Sequence, residues 1–191
     1  MELISLTYPK YTSGPKNKHK FSSKAYQILS IAKALPLQIH PDKQLAQKLH
    51  EKDPSKFGDS NHKPEIAVAL SKFEVFVGWK PLPRVQALFT DVPVLRSSFV
   101  PNDARANFTV DNLKGIVSKI LSASDEDVKD VYDKLREMKA ADFGEGEGYI
   151  AEMLPRLAEQ YDKTDPGTLV ALLTMNYMVL EKGDAIYVPA E

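Results

Sequence analysis

The chain has 191 residues, a formal net charge of −1 and no cysteine. That length can bury a sizeable core, as one domain or one domain carrying an insertion. The near-neutral charge gives no overall attraction to nucleic acid or membrane, and without thiols there is neither a disulfide framework nor a thiolate metal site.

No apolar run approaches the roughly 18 residues of a membrane span, and residues 1–11 lack a signal peptide's apolar core, so a soluble cytoplasmic protein is expected. Residues 1–20 are rich in Lys, Pro, Ser and Gly without periodicity and read as a loosely ordered lead-in. Within it Lys16-Asn17-Lys18-His19-Lys20 is a solvated basic tail rather than a binding patch. Residues 25–39 are apolar with β-branched interruptions and predict two short strands, with Pro36 between them or at an edge. Pro41 and Asp42 open a helix over 43–51, with Leu45 and Leu49 one turn apart, and Asp53-Pro54 ends it. A polar loop over 57–63 leads into an alternating β pattern over 65–78 through Ala67, Ala69, Phe73, Val75 and Val77. Trp79 is expected to pack in the core or at a barrel rim.

From Pro81 the texture becomes helical. Residues 82–89 and 112–121 read as short helices flanking a loop with Pro93 and Pro101. Ser124-Asp125-Glu126-Asp127 resembles a capping box before a helix with Val128, Val131, Leu135 and Met138 on one face. Gly144-Glu145-Gly146-Glu147-Gly148 reads as a mobile linker, because no strand leads into it and its glutamates repel phosphate. A helix over 149–160 is disturbed by Pro155, and Asp165-Pro166-Gly167 is a turn. Strands over 174–180 and 185–188 flank a turn at 181–184. Strands, a helical block, then strands again predict a helical insertion within a β domain.

The chemistry concentrates in Gln38-Ile39-His40-Pro41-Asp42-Lys43 and Asn61-His62-Lys63-Pro64-Glu65. On a strand, Gln38 and His40 face the same side, and Glu65 on a neighbouring strand can bring a carboxylate to the same point. An amide oxygen, an imidazole nitrogen and a carboxylate suit Zn²⁺ or another divalent first-row ion, and three protein ligands leave room for a fourth, or for water and substrate. Lys63, held extended by Pro64, can aim its ammonium beside Glu65, where a nearby cation would lower its pKa and suit it to acid–base work. His50 and His19 read as solvated.

The segments Leu35–Lys43 and Asn61–Glu65 resemble the two best-known motifs of the zinc-dependent type I phosphomannose isomerases, in a fungal flavour, and the resemblance runs from about residue 24 to residue 191. It implies a mainly β cupin-like fold (an incomplete antiparallel barrel or jelly roll) with an α-helical insertion. The implied layout is a lead-in at 1–23, a metal-bearing β segment at 24–80, the helical insertion at 81–168 and return strands at 169–191. It also implies interconversion of mannose 6-phosphate and fructose 6-phosphate through a cis-enediol, feeding GDP-mannose synthesis. Gln38, His40 and Glu65 correspond to zinc ligands and Lys63 to an active-site lysine, with a sugar phosphate as partner. The family's fourth ligand, a histidine, falls past Glu191, its N-terminal Trp-Gly motif is missing, and Pro36 replaces a serine linked to substrate contact. A fragment, a truncated gene model or a shortened paralogue with little activity alone is therefore expected. The alternative is a non-catalytic cupin-like metal-binding or interaction protein.

Overall fold

A computed structural model of the chain describes residues 2–7, 25–100 and 108–190. The chain divides into two compact units, one comprising Met1–Ala32, Gln38–Val75 and Val179–Glu191, the other Lys33–Leu37 and Phe76–Met178.

The first unit is built on an open four-stranded sheet. Strand β1 (Glu2–Thr7) lies between β2 (Ala25–Ser30) and β3 (Glu65–Ala69), and β6 (Ala185–Val188) flanks β3, giving the order β2-β1-β3-β6 with antiparallel pairing throughout. Alternation along β3 buries Ala67 and Ala69 and exposes Ile66, so the period-2 reading of this stretch holds. Among the described residues its core has Ala67, Ala69, Phe73 and Leu180 buried, with Leu29, Ile31, Val75 and Ile186 packed around them. Helix α1 (Lys43–Lys52) is capped as its sequence predicts, the Asp42 carboxylate accepting from the Leu45 amide at 2.7 Å. The turn before β6 needs Gly183, whose φ of 98° lies in the left-handed region, and its N–H donates to the Ala69 carbonyl at 2.8 Å.

The second unit is helical. It holds α2 (Leu82–Asp91), α3 (Pro93–Phe99), α4 (Val110–Leu121), α5 (Asp125–Arg136), a 3₁₀ turn (Ala140–Phe143), α6 (Tyr149–Tyr161) and α7 (Pro166–Thr174). The chain enters this unit within β4 (Phe73–Trp79) and leaves it within β5 (Met175–Leu180), two strands that pair with each other. Amphipathic spacing explains the packing: α4 buries Leu113, Ile116 and Ile120, α5 buries Val128, Val131 and Leu135, and α6 buries Ile150, Met153, Leu154 and Leu157. Met138, beyond the end of α5, packs against this core.

A charged cluster lies inside that apolar unit. Lys80 is buried at the end of β4, with its Nζ 2.7 Å from Glu147 Oε2, and donates to the Leu172 carbonyl at 2.7 Å. The ammonium reaches Oε2 as an ion pair, outside the angles of a directed hydrogen bond. Arg84, half-exposed, pairs with Glu147 Oε1. Lys80 also sits 5.4 Å from the centroid of the Tyr149 ring, and the Tyr149 hydroxyl donates to the Leu172 carbonyl. Glu147 is thus held by Lys80, next to β4, and by Arg84 of α2, while Lys80 and Tyr149 of α6 both reach the Leu172 carbonyl of α7, so Gly144–Gly148 is an anchored turn and not a linker. Its glycines serve that geometry: Gly144 and Gly146 have φ of 87° and 74°, where a side chain is strained.

Several expectations are corrected. The chain is predominantly helical, and among the described residues no sheet closes or curls, so a mainly β cupin-like barrel or jelly roll is not what this sequence forms. Among the described residues, the amphipathic faces of α4, α5 and α6 and the largely buried α7 build a large apolar core. Glu2–Thr7, read as lead-in, is a strand because β2 and β3 satisfy its backbone on both sides. The second strand expected before residue 40 does not form; the chain there is irregular, as Pro36 and Pro41 remove two ladder donors. The loop with Pro93 contains α3, and the Asp165-Pro166-Gly167 turn is the start of α7, with Asp165 as N-cap and proline in the first turn of both helices. Trp79 is 55% exposed and lines a groove of about 590 Å³ with Val110, Lys114, Val117 and Leu121, so it is not a core residue. The basic run at 16–20 lies outside the described residues.

Candidate metal centre

The candidate site belongs to the strand-containing unit and starts from His40. Its half-buried ring places Nδ1 2.8 Å from the Lys63 carbonyl oxygen. A carbonyl can only accept, so Nδ1 must carry the hydrogen, and in the neutral imidazole the lone pair is then on Nε2. A backbone carbonyl holding one ring nitrogen is how a metal-binding histidine is usually oriented.

That hydrogen bond joins the two motifs. Lys63 stands two residues before Glu65, and Glu65 opens β3, half-buried and opposite Val188 in the β3–β6 register. Gln38 is exposed, two residues before His40 in the same irregular segment, so it is not presented by a strand pleat. Lys63 Nζ lies 3.5 Å from Asp59 Oδ2, and both side chains are about one-third exposed, at 39% and 31%. The Asn61 amide donating to Asp59 Oδ1 at 3.0 Å, helped by the Lys63 ammonium, holds the Asp59 carboxyl below its usual range. This turn positions Lys63, a role for Asp59 that only its Asx spacing to Asn61 signals in the sequence. Asn61 and His62 are exposed. His50 is half-buried and bonded through Nδ1 to the Phe57 carbonyl, joining α1 to the same loop. His19 lies outside the described residues.

Among the described residues no group of three or more His, Cys, Asp or Glu side chains is gathered for a metal. The candidate set contains one His and one Glu, and its third donor is an amide. The donor chemistry fits zinc: a neutral imidazole with Nε2 available, a carboxylate and an amide oxygen are acceptable ligands, the last a weak one.

Comparison with known proteins converges on the same segments. Residues 6–82, which span both motifs, match the family described as "Phosphomannose isomerase type I, catalytic domain". The mannose-6-phosphate isomerase of Ogataea parapolymorpha is 34% identical over 191 residues, covering 90% of this chain and 44% of that protein. The Saccharomyces cerevisiae mannose-6-phosphate isomerase is 32% identical over 187 residues, covering 87% and 42%. In fold, a phosphomannose isomerase from Salmonella typhimurium superposes with a TM-score of 0.67 at 21% identity, over 85% of this chain and 41% of that one. A zinc-bound mannose 6-phosphate isomerase gives 0.63 at 20% identity, over 82% and 41%. The chain spans less than half the length of these curated relatives. It is a relative of the type I phosphomannose isomerases, corresponding to part of their length, with the catalytic-domain match lying over residues 6–82.

Proposed function

We propose that this protein serves the interconversion of mannose 6-phosphate and fructose 6-phosphate, with Zn²⁺ held by Gln38, His40 and Glu65 and with Lys63 beside it. The observation that carries this reading is the bond from His40 Nδ1 to the Lys63 carbonyl, which links the two motifs and leaves Nε2 available as a donor. The relatives' names support the reaction class, and the zinc-bound structure of one similar protein supports the choice of ion.

In the reaction a proton leaves C2 of the open-chain aldose as O1 gains one, giving the cis-enediol; negative charge develops on the enediol oxygens, and O2 then loses its proton as one is delivered to C1, with no external oxidant or reductant. When bound, zinc would supply a positive centre that polarises the substrate oxygens. The chain's own residues do the rest. Nδ1–H of His40 stays on the Lys63 carbonyl and keeps the ring oriented. Glu65 brings the one full negative charge of the donor set. Lys63 presents an ammonium that can stabilise developing oxyanion charge or carry a proton, with Asp59 holding it ready.

The test is zinc content after dialysis, measured beside a coupled isomerase assay on the same protein. Wild type is expected to retain zinc and both His40→Ala and Glu65→Ala to lose it. Any turnover by the chain should vanish with chelator and with Lys63→Ala. Wild-type zinc retention in both ligand variants would overturn the reading.

A further inference from the structure

An apolar groove lies open in the helical unit, between the end of β4 and the outer side of α4. Among the described residues of Phe76–Met178, four large apolar side chains stay exposed, and three of them, Trp79, Val110 and Leu121, line this groove of about 590 Å³. Exposed apolar residues scattered singly are ordinary, but a cluster of them marks an interaction surface.

Helix α4 is apolar on two sides. Leu113, Ile116 and Ile120 face the core, as an amphipathic helix requires. Val110, Lys114, Val117 and Leu121 form a second row along the groove, four, three and four residues apart. That spacing is the seam of a packed helix pair, and from Val110 to Leu121 it runs about 16 Å along the axis. The exposure of Val110 and Leu121 shows that no described element covers the ends of this row.

Charge decides what fits there. Lys114 is the one charged side chain among the described lining residues, and it stands inside the apolar row. Its ammonium lies 3.5 Å from Asp111 Oδ1, but the two side chains are 74% and 92% exposed, so that pair is worth little and leaves the ammonium available. A second copy is a poor occupant. Two-fold pairing of the row with itself sets the two Lys114 side chains opposite each other in parallel helices, and within a turn of each other in antiparallel ones, where like charges repel. A carboxylate held between apolar anchors complements Lys114 instead.

We infer that this groove is a docking site for an amphipathic helix of a partner protein, one that presents apolar side chains at seam spacing and a Glu or Asp opposite Lys114. The test uses the full chain and synthetic peptides of about 18 residues, long enough to hold a helix. They carry leucine at i, i+4, i+7 and i+11, with glutamate replacing one of the two central leucines. The row reads the same in both directions, so the two placements of glutamate cover both helix orientations. Trp79 is the single tryptophan of the chain, and its emission reads occupancy of the groove.

One glutamate peptide should bind and move Trp79 emission to shorter wavelength. Its lysine counterpart should bind roughly three- to tenfold more weakly, the combined effect of attraction lost and repulsion gained at an exposed pair. Lys114→Glu should reverse that order, a gain that a misfolded chain cannot produce, and Leu121→Gln should weaken binding of the glutamate peptide. Failure of both glutamate peptides to bind, equal binding of the glutamate and lysine peptides, or unchanged binding by Leu121→Gln overturns the inference. Binding of dodecanoate but of neither peptide also overturns it and makes the groove a site for an apolar acid. Self-association of the wild type in sedimentation, abolished by Leu121→Gln, overturns it in favour of an interface between copies.

Discussion

Replacing Glu147 by alanine should destabilise the helical unit by about 3 kcal/mol, through the ion it leaves behind. The Lys80 and Glu147 side chains are 1% and 4% exposed, so loss of the carboxylate strands an ammonium among Leu172, Tyr149 and their apolar neighbours. Breaking a buried pair in this way typically costs about 3–5 kcal/mol, and the remaining bond to the Leu172 carbonyl argues for the lower end. Arg84 is 46% exposed and water compensates its loss, so it adds little. There is also a ceiling. At pH 7 Lys80 can escape by losing its proton, and from an ordinary value of 10.5 that costs about 5 kcal/mol. Desolvation already lowers the Lys80 pKa in the wild type, ahead of the opposing pull of Glu147. A lysine depressed in the folded state binds fewer protons there than in the unfolded chain, so stability rises with pH up to 10.5. The defect in Glu147→Ala should therefore shrink between pH 7 and 10. The double substitution Lys80→Met/Glu147→Leu, which removes both charges, should lose no more than about 1 kcal/mol. Urea unfolding followed by Trp79, the single tryptophan and the neighbour of Lys80, reads all of this, and Glu147→Ala should lower the midpoint by about 1–3 M. A loss below about 1 kcal/mol, or a double variant as unstable as the single one, would refute the argument.

Tyr149 responds to pH with the opposite sign. Burial, then the Glu147 carboxylate, push its phenol well above the usual 10.0, so its contribution is fully present below pH 10 and is lost as pH rises further; Tyr149→Phe should cost about 0.5–1.5 kcal/mol at neutral pH and weaken the alkaline loss in a pH series of thermal melts. Leu154, fully buried in α6, should cost about 2–5 kcal/mol as alanine, and a shift in urea midpoint below that range would indicate that the core collapses around the gap. Ser124 caps α5 by accepting from the Asp127 amide at 3.2 Å, so Ser124→Ala should cost about 1 kcal/mol and Ser124→Asp should restore most of it.

Structure decided within a few residues is legible in the sequence. Asp42 and Ser124 announce helices because their side chains satisfy amides three positions ahead. The amphipathic faces of α4 and α5 repeat at helical spacing, and the turn at 181–184 places its glycine where φ is positive. The helix α7 was hidden because Leu169, Val170, Leu172 and Leu173 are all buried, which erases the one-sided periodicity that marks a surface helix. Its start was nonetheless written in Asp165-Pro166, a cap followed by a proline whose missing N–H is harmless in the first turn.

For the candidate site, residue types and spacing offer Gln38, His40 and Glu65 as donors of the kind a divalent ion takes, with Lys63 between the last two. Sequence alone also determined most helix starts, since caps act over three or four residues. Tertiary structure decided what depends on partners far along the chain. It set the tautomer of His40 through a carbonyl 23 residues away, the hydrogen bond from the Ala34 amide to Gln160 of α6 across 126 residues, and the burial of Glu147 beside Lys80. It also decided the fold class, because burial of apolar area is a cooperative property of the whole chain, and among the described residues the helices pack into a large common core.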